Sequence, residues 1–205
     1  MVEILVAFGL DLVLGDPVYS WHPVRILGMW IEKGETLLRK YFSNEKLAGL
    51  FLAVGVPFGA YISVWFFVEL ALQIHPFLKN VVSIYFIYSS LSIKDLGLEA
   101  ASVYRALRNK NLEAARENLA RIVGRDTANL NEAEVIRATV ETVAESLMDG
   151  VVAPLFYAAI GGAPFAITYK AINTLDSMVG NRSARYKKFG YFSAKIDEIA
   201  NWIPA

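Results

Sequence analysis

The sequence predicts an all-α, multi-pass integral membrane protein with a cytoplasmic helical insert. Hydrophobic residues make up 55% of the 205 residues and charged residues 20%, whereas an average soluble domain has about 45–50% and about 25%. The apolar residues are concentrated in runs, and residues 47–72 contain a single charged side chain, Glu69. Because about 20 apolar residues span a bilayer, this run predicts a membrane helix. A further apolar run, at residues 150–169, is broken by glycines and predicts a re-entrant helical hairpin.

Charge and cysteine content exclude several classes of function. The chain has 20 basic residues, 20 acidic residues and no cysteine. A net charge of zero argues against a nucleic-acid-binding protein, which carries a basic face. The lack of cysteine removes disulfides, thiol nucleophiles and iron–sulfur clusters. The first residues are apolar but carry Glu3 and Asp11 and no basic segment, so we expect no cleaved signal peptide.

An N-terminal membrane region is predicted over residues 1–93. It contains spans near residues 47–72 and 77–93, and the break at His75-Pro76 joins them as a hairpin. Basic residues flank this hairpin on both sides, so the positive-inside rule places both flanks in the cytoplasm. The apolar stretch at residues 2–14 is too short for a regular span.

Residues 94–146 are predicted to form the cytoplasmic helical insert, because they are charged, alanine-rich and helical in period. Gly124 is a plausible stop for its first helix. Asn131 followed by Glu134 predicts a capping arrangement that opens a helix running to about Met148. The apolar stripe of the insert consists of Leu112, Ala115, Leu119 and Ile122.

Residues 147–205 are predicted to hold the re-entrant hairpin and a polar motif segment. Gly161-Gly162-Ala163-Pro164 interrupts the apolar run and leaves about 10 residues, or about 15 Å, on each side. A re-entrant hairpin would return the chain to the side it entered from, whereas a single kinked span would separate the polar ends. We favour the hairpin because polar residues crowd both ends and broken membrane helices usually line a site.

Three carboxylates form the first candidate site. Glu141, Glu145 and Asp149 recur at four-residue spacing, so they fall near one helical face. Such carboxylates repel one another unless a cation sits among them, and Mg²⁺ with bound phosphate is the natural candidate. The alternative is a solvated helix face on which Arg137 pairs with Glu141. Asp149 lies at the mouth of an apolar run, where ionisable groups are usually functional.

Two other groups of polar residues are candidates for binding. Lysine and arginine in residues 170–186 suit phosphate or carboxylate recognition, and asparagine and aspartate suit metal or hydroxyl contacts. The alternative for this segment is a polar cap beside the membrane. Near the N-terminus, Asp16, His22 and Arg25 lie close together, although a histidine beside proline is more often a turn residue. Arg125 lies in a polar loop that suits anion binding or a helix cap.

Three blocks of this sequence carry a family resemblance. They are LDLVLGDPVYSWHPVRILG, ARIVGRDTANLNEAEVIRATVETVAESLMDGVVAPLFYAAIGG and YKAINTLDSMVGNRSARYKKFGYFSAKIDEIANWIPA. Together they closely resemble the adenosylcobinamide-phosphate synthase family, the cobalamin-biosynthesis membrane proteins called CbiB or CobD. The combination of GRDT, DGVVAP and NTLDSM is specific, whereas each motif by itself is weak. The resemblance extends from about residue 10 to residue 205.

The resemblance implies an ATP-dependent ligase. Such an enzyme attaches aminopropanol, or its phosphate, to the free propionate carboxylate of adenosylcobyric acid, with ATP and Mg²⁺ as cofactors. We then expect the cell membrane as location, a site that faces the cytoplasm, and association with other late cobalamin-assembly enzymes. Members continue past the NWIPA block with further hydrophobic segments, so we expect this chain to be a shortened member, a fragment or half of a split protein.

The clustering of the candidate residues, together with their membership in these motifs, gives a hypothesis for their roles. The expected metal ligands are Glu141, Glu145 and Asp149. The expected catalytic residues are Asp149, Asp176 and Lys170. The expected substrate-binding residues are Arg125, Asn173, Arg182, Arg185, His22 and Arg25. A non-catalytic, corrinoid-binding membrane scaffold for late cobalamin assembly is the alternative function. No inverted repeat is visible, which disfavours a transporter.

Overall fold

The computed structural model describes residues 1–16, 19, 21–124, 126–181 and 183–205. The regular secondary structure of these residues is helical, which confirms the predicted all-α class. The elements are α1 (Val2–Leu14), α2 (Pro23–Tyr41), α3 (Glu45–Ile74), α4 (Pro76–Tyr88), α5 (Ile93–Arg108), α6 (Leu112–Ala120), α7 (Glu132–Leu147), a π-helical turn (Met148–Val152), α8 (Ala153–Val179) and α9 (Tyr191–Asn201).

Three helical stretches are long and apolar enough to cross a membrane, namely Glu45–Ile74, Pro76–Arg108 and Glu132–Val179. The first contains the predicted span at residues 47–72. The second joins α4 to α5 across a short break, so the helix predicted to reach residue 93 ends earlier, at Tyr88. His75 begins α4 as predicted for a turn residue, because its Nδ1 atom accepts a hydrogen bond from the Phe77 backbone N–H at 3.1 Å.

The membrane-type helices share one core, and α3 lies at its centre against α2, α4, α8 and α9. Buried side chains such as Leu27, Ile31 and Phe189 fill this core. Gly49 of α3 allows the closest approach, since a Cβ atom at this position would collide with the Phe189 carbonyl oxygen. This packing brings the segment between α8 and α9 against the side of α3.

Asp11 is an acidic residue within the apolar helix α1, and hydrogen bonds to its side chain accommodate it there. Its side chain is fully buried, and its Oδ2 atom accepts hydrogen bonds from the backbone N–H groups of Ile93 (2.6 Å) and Lys94 (3.3 Å). These groups belong to the first turn of α5, where helices have unsatisfied donors. Burial raises the pKa of Asp11, and the two hydrogen bonds oppose this shift. Asp11 therefore joins α1 to the start of α5.

The insert has a small core of its own, formed by α5, α6 and α7. The predicted apolar stripe is confirmed, because Ala115 and Leu119 are fully buried. The predicted capping box is also confirmed: Asn131 Oδ1 accepts from the Glu134 N–H at 3.0 Å, and Glu134 Oε2 accepts from the Asn131 N–H at 2.8 Å. The helix predicted to stop at Gly124, α6, ends earlier, at Ala120.

The predicted break in the last apolar run is confirmed at Gly161 and Gly162, whose backbones are not helical. Gly162 has a φ of 67°, a conformation that favours glycine. The rings of Tyr157 and Tyr169 stack with centroids 5.1 Å apart, although a straight helix would separate them by about 18 Å. The chain therefore reverses direction at the glycine pair. Placement of this hairpin as re-entrant in a membrane stays a prediction.

Candidate functional site

A cavity of about 670 Å³ opens where α7, the π-helical turn and α8 meet. The charged groups that line it are three carboxylates, Glu141, Glu145 and Asp149, and the ammonium group of Lys170. The other polar lining residues are Ser92, Thr142, Ser146, Asn173 and Ser177. Among the described lining residues the carboxylates outnumber the ammonium group, so this part of the lining carries a net negative charge and suits a ligand that brings a cation.

The four-residue spacing along the helix places the three carboxylates on the side that faces this cavity. Glu141 and Glu145 lie one turn apart on α7, and Asp149 follows in the π-helical turn. π-Helical turns are rare and occur frequently at functional sites. Gly150 lets this turn pack against the start of α5: its carbonyl accepts from the Ser92 N–H at 3.1 Å, and a Cβ atom there would collide with Ser92 Oγ.

Glu141 agrees with both interpretations of the sequence, because it pairs with Arg137 on the helix surface and also lines the cavity. Its Oε1 atom accepts a hydrogen bond from Arg137 Nε at 2.8 Å, which is the predicted surface pair. Glu141 also lines the cavity with Glu145. The Arg137 side chain is 82% exposed, so this pair is screened by water and contributes little to stability.

Lys170 lies among acidic side chains from both ends of the chain. It is close enough to Asp149, Asp16 and Asp11 to interact with their charges. The catalytic candidates predicted from sequence therefore meet at this place: Lys170 and Asp149 line the cavity, and the charge of Asp176 interacts with those of Asp149 and Glu145.

Asp149 is held by a hydrogen-bonded chain that the sequence analysis missed. The Tyr169 hydroxyl lies 3.1 Å from Asp149 Oδ1 and 2.7 Å from Asn201 Oδ1. Asn201 Nδ2 in turn donates to Asp197 Oδ2 at 3.1 Å. The one available signal was the four-residue spacing of Asp197 and Asn201 in the last sequence block. Tyr169 opens the third of the blocks that carry the family resemblance, but its place at the end of an apolar run gave no chemical signal.

Asp197 is the most perturbed carboxyl group of α9. Burial raises its pKa to about 7, and the negative charges of Asp176 and Asp149 act in the same direction. The hydrogen bond from Asn201 lowers the pKa in part. The Asp197 Oδ1 atom is buried and has no hydrogen-bond partner among the described residues. Asp197 therefore lies close to two further carboxylates, Asp149 and Asp176.

The N-terminal candidates lie outside the lining of the cavity. His22 is 3% exposed and precedes the first residue of α2, which agrees with a structural turn residue. Its Nε2 atom lies 2.9 Å from Asp16 Oδ1, without the alignment of a hydrogen bond. Arg25 is exposed on α2. The structure therefore brings Asp16 toward Lys170 but does not bring Arg25 to the cavity.

Arg185 lies in an ion-pair cluster, and its assignment to substrate binding stays a prediction. Arg185 Nη2 lies 3.0 Å from Glu35 Oε1, and Arg39 Nε lies 2.9 Å from the same oxygen. This ion-pair cluster joins α2 to the segment before α9 and does not line the cavity. The predictions for Arg125 and Arg182 concern positions outside the described residues. Gly124, next to Arg125, does line the cavity.

No group of three aspartate, glutamate or histidine side chains within the described ranges is arranged to hold a metal ion. Glu141, Glu145 and Asp149 therefore line one cavity without forming a closed metal cage. Mg²⁺ commonly binds proteins through one or two carboxylates, and phosphate oxygens and water complete its shell. The oxygen-rich, negatively charged lining fits such an ion.

Known proteins similar to this chain match almost its whole length. The family model described as CobD/Cbib protein matches residues 4–205. "Cobalamin biosynthesis protein CobD" from Clostridium perfringens is 46% identical over 209 residues, and the protein of that name from Geobacter metallireducens is 47% identical over 205 residues. "Cobalamin biosynthesis protein CbiB" from Salmonella typhi is 41% identical over 206 residues.

These alignments cover 100%, 98% and 98% of the chain, respectively, but only 65%, 64% and 64% of the three relatives. The chain thus spans somewhat less than two thirds of the length of the curated relatives it matches. No solved structure matches it.

Proposed function

The chain belongs to the CobD/Cbib protein family, and from this premise we propose that it acts in cobalamin biosynthesis as an ATP-dependent ligase. The proposed reaction joins the free propionate carboxylate of adenosylcobyric acid to aminopropanol, or to aminopropanol phosphate, through an amide bond. The observation that carries the proposal is the cavity whose described lining brings Glu141, Glu145 and Asp149 together with Lys170. It offers groups for a cation-bound nucleotide and for proton transfer in one place.

The chemistry requires activation, because a carboxylate does not react directly with an amine. In the first proposed step, a carboxylate oxygen attacks the γ-phosphorus of ATP, which gives an acyl phosphate and ADP. The amine nitrogen then attacks the acyl carbon, the carbon–oxygen bond to phosphate breaks, and inorganic phosphate leaves. The nitrogen loses a proton to a base, and the amide remains. Such reactions depend on stabilised phosphate charge, a stabilised oxyanion and a positioned base.

The residues at the cavity receive roles from this chemistry. Asp149, with Glu141 and Glu145, would hold the Mg²⁺ that accompanies the nucleotide. When bound, this ion neutralises charge on phosphate oxygens. Lys170 is assigned to the phosphate or oxyanion that develops during the reaction, because its ammonium group lines the same cavity.

Other candidates complete the proposed site. Asp176 is assigned as the base that receives the amine proton, and Asn173 as a hydrogen-bonding contact to substrate. Asn173 lines the cavity. Phosphate contacts from Arg125 and Arg182 stay predictions. Arg185 is left out of the proposed site, because its guanidinium group pairs with Glu35.

We also propose that the chain lies in the cell membrane and that its cavity faces the cytoplasm, where ATP is present. Three stretches long enough to span support the first part. Basic residues on both flanks of α3 and α4 support the second, because the positive-inside rule places such flanks in the cytoplasm. The α8 hairpin would then be re-entrant, because its reversal keeps Asp149 and Lys170 at one end.

Reconstitution of the purified chain in membranes tests the proposal. The chain is incubated with adenosylcobyric acid, Mg²⁺-ATP and aminopropanol phosphate, and the amide is sought by mass spectrometry. The full-length relative from Clostridium perfringens serves as a reference preparation, and omission of ATP is the control. ATP-dependent amide supports the ligase. A preparation that binds the corrinoid, binds no ATP and forms no amide would instead indicate the corrinoid-binding scaffold.

A further inference from the structure

A pair of stacked tyrosines connects the cavity to the end of α9. Tyr157 and Tyr169 come from opposite arms of the α8 hairpin, and their ring planes differ by 15°. The Tyr157 hydroxyl donates to the Ala200 carbonyl oxygen at 2.9 Å. The Tyr169 hydroxyl lies 2.7 Å from Asn201 Oδ1 and, in addition, 3.1 Å from Asp149 Oδ1. Both hydroxyl groups therefore contact residues at the end of α9. Of the two, the Tyr169 hydroxyl also contacts the Asp149 carboxylate in the cavity.

Asp149 has physical reasons to need such a contact. It belongs to a π-helical turn, and its charge interacts with those of Asp176 and Asp197. Mutual repulsion of carboxylates drives such a side chain away from its neighbours and out of a fixed orientation. A hydroxyl that donates to an ionised carboxylate makes a stronger hydrogen bond than one between neutral groups. The Tyr169 hydroxyl can therefore hold the carboxylate against this repulsion.

The donor itself is fixed in place. The Tyr169 side chain is 1% exposed and packs against the Tyr157 ring. The amide of Asn201 is oriented by its Nδ2 donation to Asp197 Oδ2, so its Oδ1 atom faces Tyr169. Tyrosine has one hydroxyl proton and here two acceptors. The proton is therefore shared between Asn201 Oδ1 at 2.7 Å and Asp149 Oδ1 at 3.1 Å.

We propose that Tyr169 is a positioning residue, which holds the Asp149 carboxylate in the orientation that the ligase reaction requires and is itself anchored to α9 by Asn201. The requirement for the reaction rests on the function proposed above. The contact between Tyr169 and Asp149 does not depend on that function, and it can be measured separately.

Two matched variants test the proposal in the reconstituted chain. Tyr169→Phe removes the hydroxyl that reaches Asp149, and Tyr157→Phe removes the stacked hydroxyl that reaches Ala200. We expect kcat/KM for Mg²⁺-ATP to fall about 10-fold in Tyr169→Phe, with KM for adenosylcobyric acid within about 2-fold of its original value. Tyr157→Phe should change neither constant by more than about 2-fold. Wild-type kinetics in Tyr169→Phe, or an equal loss in both variants, would overturn the proposal.

A double-mutant cycle on unfolding measures the contact without activity. The unfolding midpoints of the wild type, Tyr169→Phe, Asp149→Ala and the double variant are compared in one detergent. Non-additive effects support a direct contact between the two residues, and additive effects overturn it. If the wild type forms no amide but the cycle is non-additive, the proposed function fails and the contact stands. If the wild type is active but the cycle is additive, the function stands and the positioning role of Tyr169 fails.

Discussion

The cavity and the cluster around Glu35 differ in how many cationic side chains accompany their carboxylates. Glu35 is 7% exposed and is compensated within the chain: Arg39 and Arg185 pair with its Oε1 atom, and the Tyr186 hydroxyl donates to Oε2 at 3.2 Å. The cavity instead gathers carboxylates around one described lysine. A compensated cluster is complete without a ligand and serves the fold. The described lining of the cavity holds more carboxylates than cations, so it would gain stability when something positive binds. For this reason the cavity, and not the Glu35 cluster, is the candidate site.

Removing charge from the cavity should have the largest effect on activity. Asp149→Asn keeps the size of the side chain but removes the charge assigned to Mg²⁺-ATP, so we expect the rate of amide formation to fall by at least about 100-fold with the fold retained. Amide formation and the unfolding midpoint are measured on the same preparation. Glu117→Gln makes the same chemical change on an exposed face of α6 and should leave the rate unchanged. A folded Asp149→Asn variant with full activity would falsify the role of Asp149.

Removing charge from the Glu35 cluster should lower the stability of the protein and leave its activity unchanged. Glu35→Gln leaves Arg39, whose side chain is 25% exposed, without its buried partner, and we expect a loss of about 2 kcal/mol in the free energy of unfolding. Activity per folded molecule should stay unchanged. Denaturant unfolding and amide formation check the two parts. A strong loss of activity at unchanged stability would place Glu35 in the site and remove the distinction between the clusters.

The pH dependence of stability should reveal the buried carboxylate of Asp197 on α9. The pKa of Asp197 is raised from its ordinary value of 3.8 to about 7, so the folded state binds its proton more tightly than the unfolded state. The stabilising effect of this proton is complete below about pH 4 and is lost as the pH rises toward 7. Asp197→Asn should therefore unfold less readily than the wild type at pH 8, and this advantage should shrink toward pH 4.

Unfolding midpoints at a series of pH values give the test. Glu198→Gln on the same helix is the matched control, because Glu198 is exposed and pairs with Lys195 at 2.6 Å. If the difference between wild type and Asp197→Asn were constant from pH 4 to pH 8, burial of the Asp197 charge would be excluded as its cause.

The smallest effect is expected at Arg185. Its side chain is 68% exposed and shares Glu35 with Arg39, so Arg185→Lys should cost less than about 1 kcal/mol of stability. The rate of amide formation should not change. A clear rise in KM for the nucleotide or the amine would restore Arg185 as a substrate-binding residue. The Glu35 cluster would then belong partly to the site.

Local signals in the sequence predicted most of the helical framework. The capping box at Asn131 and the break at Gly161-Gly162 depend on residues that are neighbours in the chain, and both were found where expected. The same holds for the carboxylates of α7, because four-residue spacing fixes a common helical face. These features need no knowledge of how distant segments pack.

The features that the sequence did not reveal depend on distant contacts. Tyr169 meets Asn201 only because the chain reverses within α8 and α9 then packs against it. Arg185 was expected to bind substrate, since an arginine in a polar segment suits phosphate. Its actual partner, Glu35, lies 150 residues away in the chain. No periodicity or spacing rule connects such residues, so a cation that serves the fold looks the same as one that serves a ligand.

The cap that Asp11 provides to α5 also sets an order of events during synthesis. The carboxylate and its partner Ile93 are separated by 82 residues. At about 5–20 residues per second, the ribosome takes about 4–16 seconds to produce the second after the first. During this interval the carboxylate of α1 must keep its water or take up a proton, because apolar surroundings do not tolerate an unpaired charge. Helix α1 therefore completes its burial only after the start of α5 has left the ribosome.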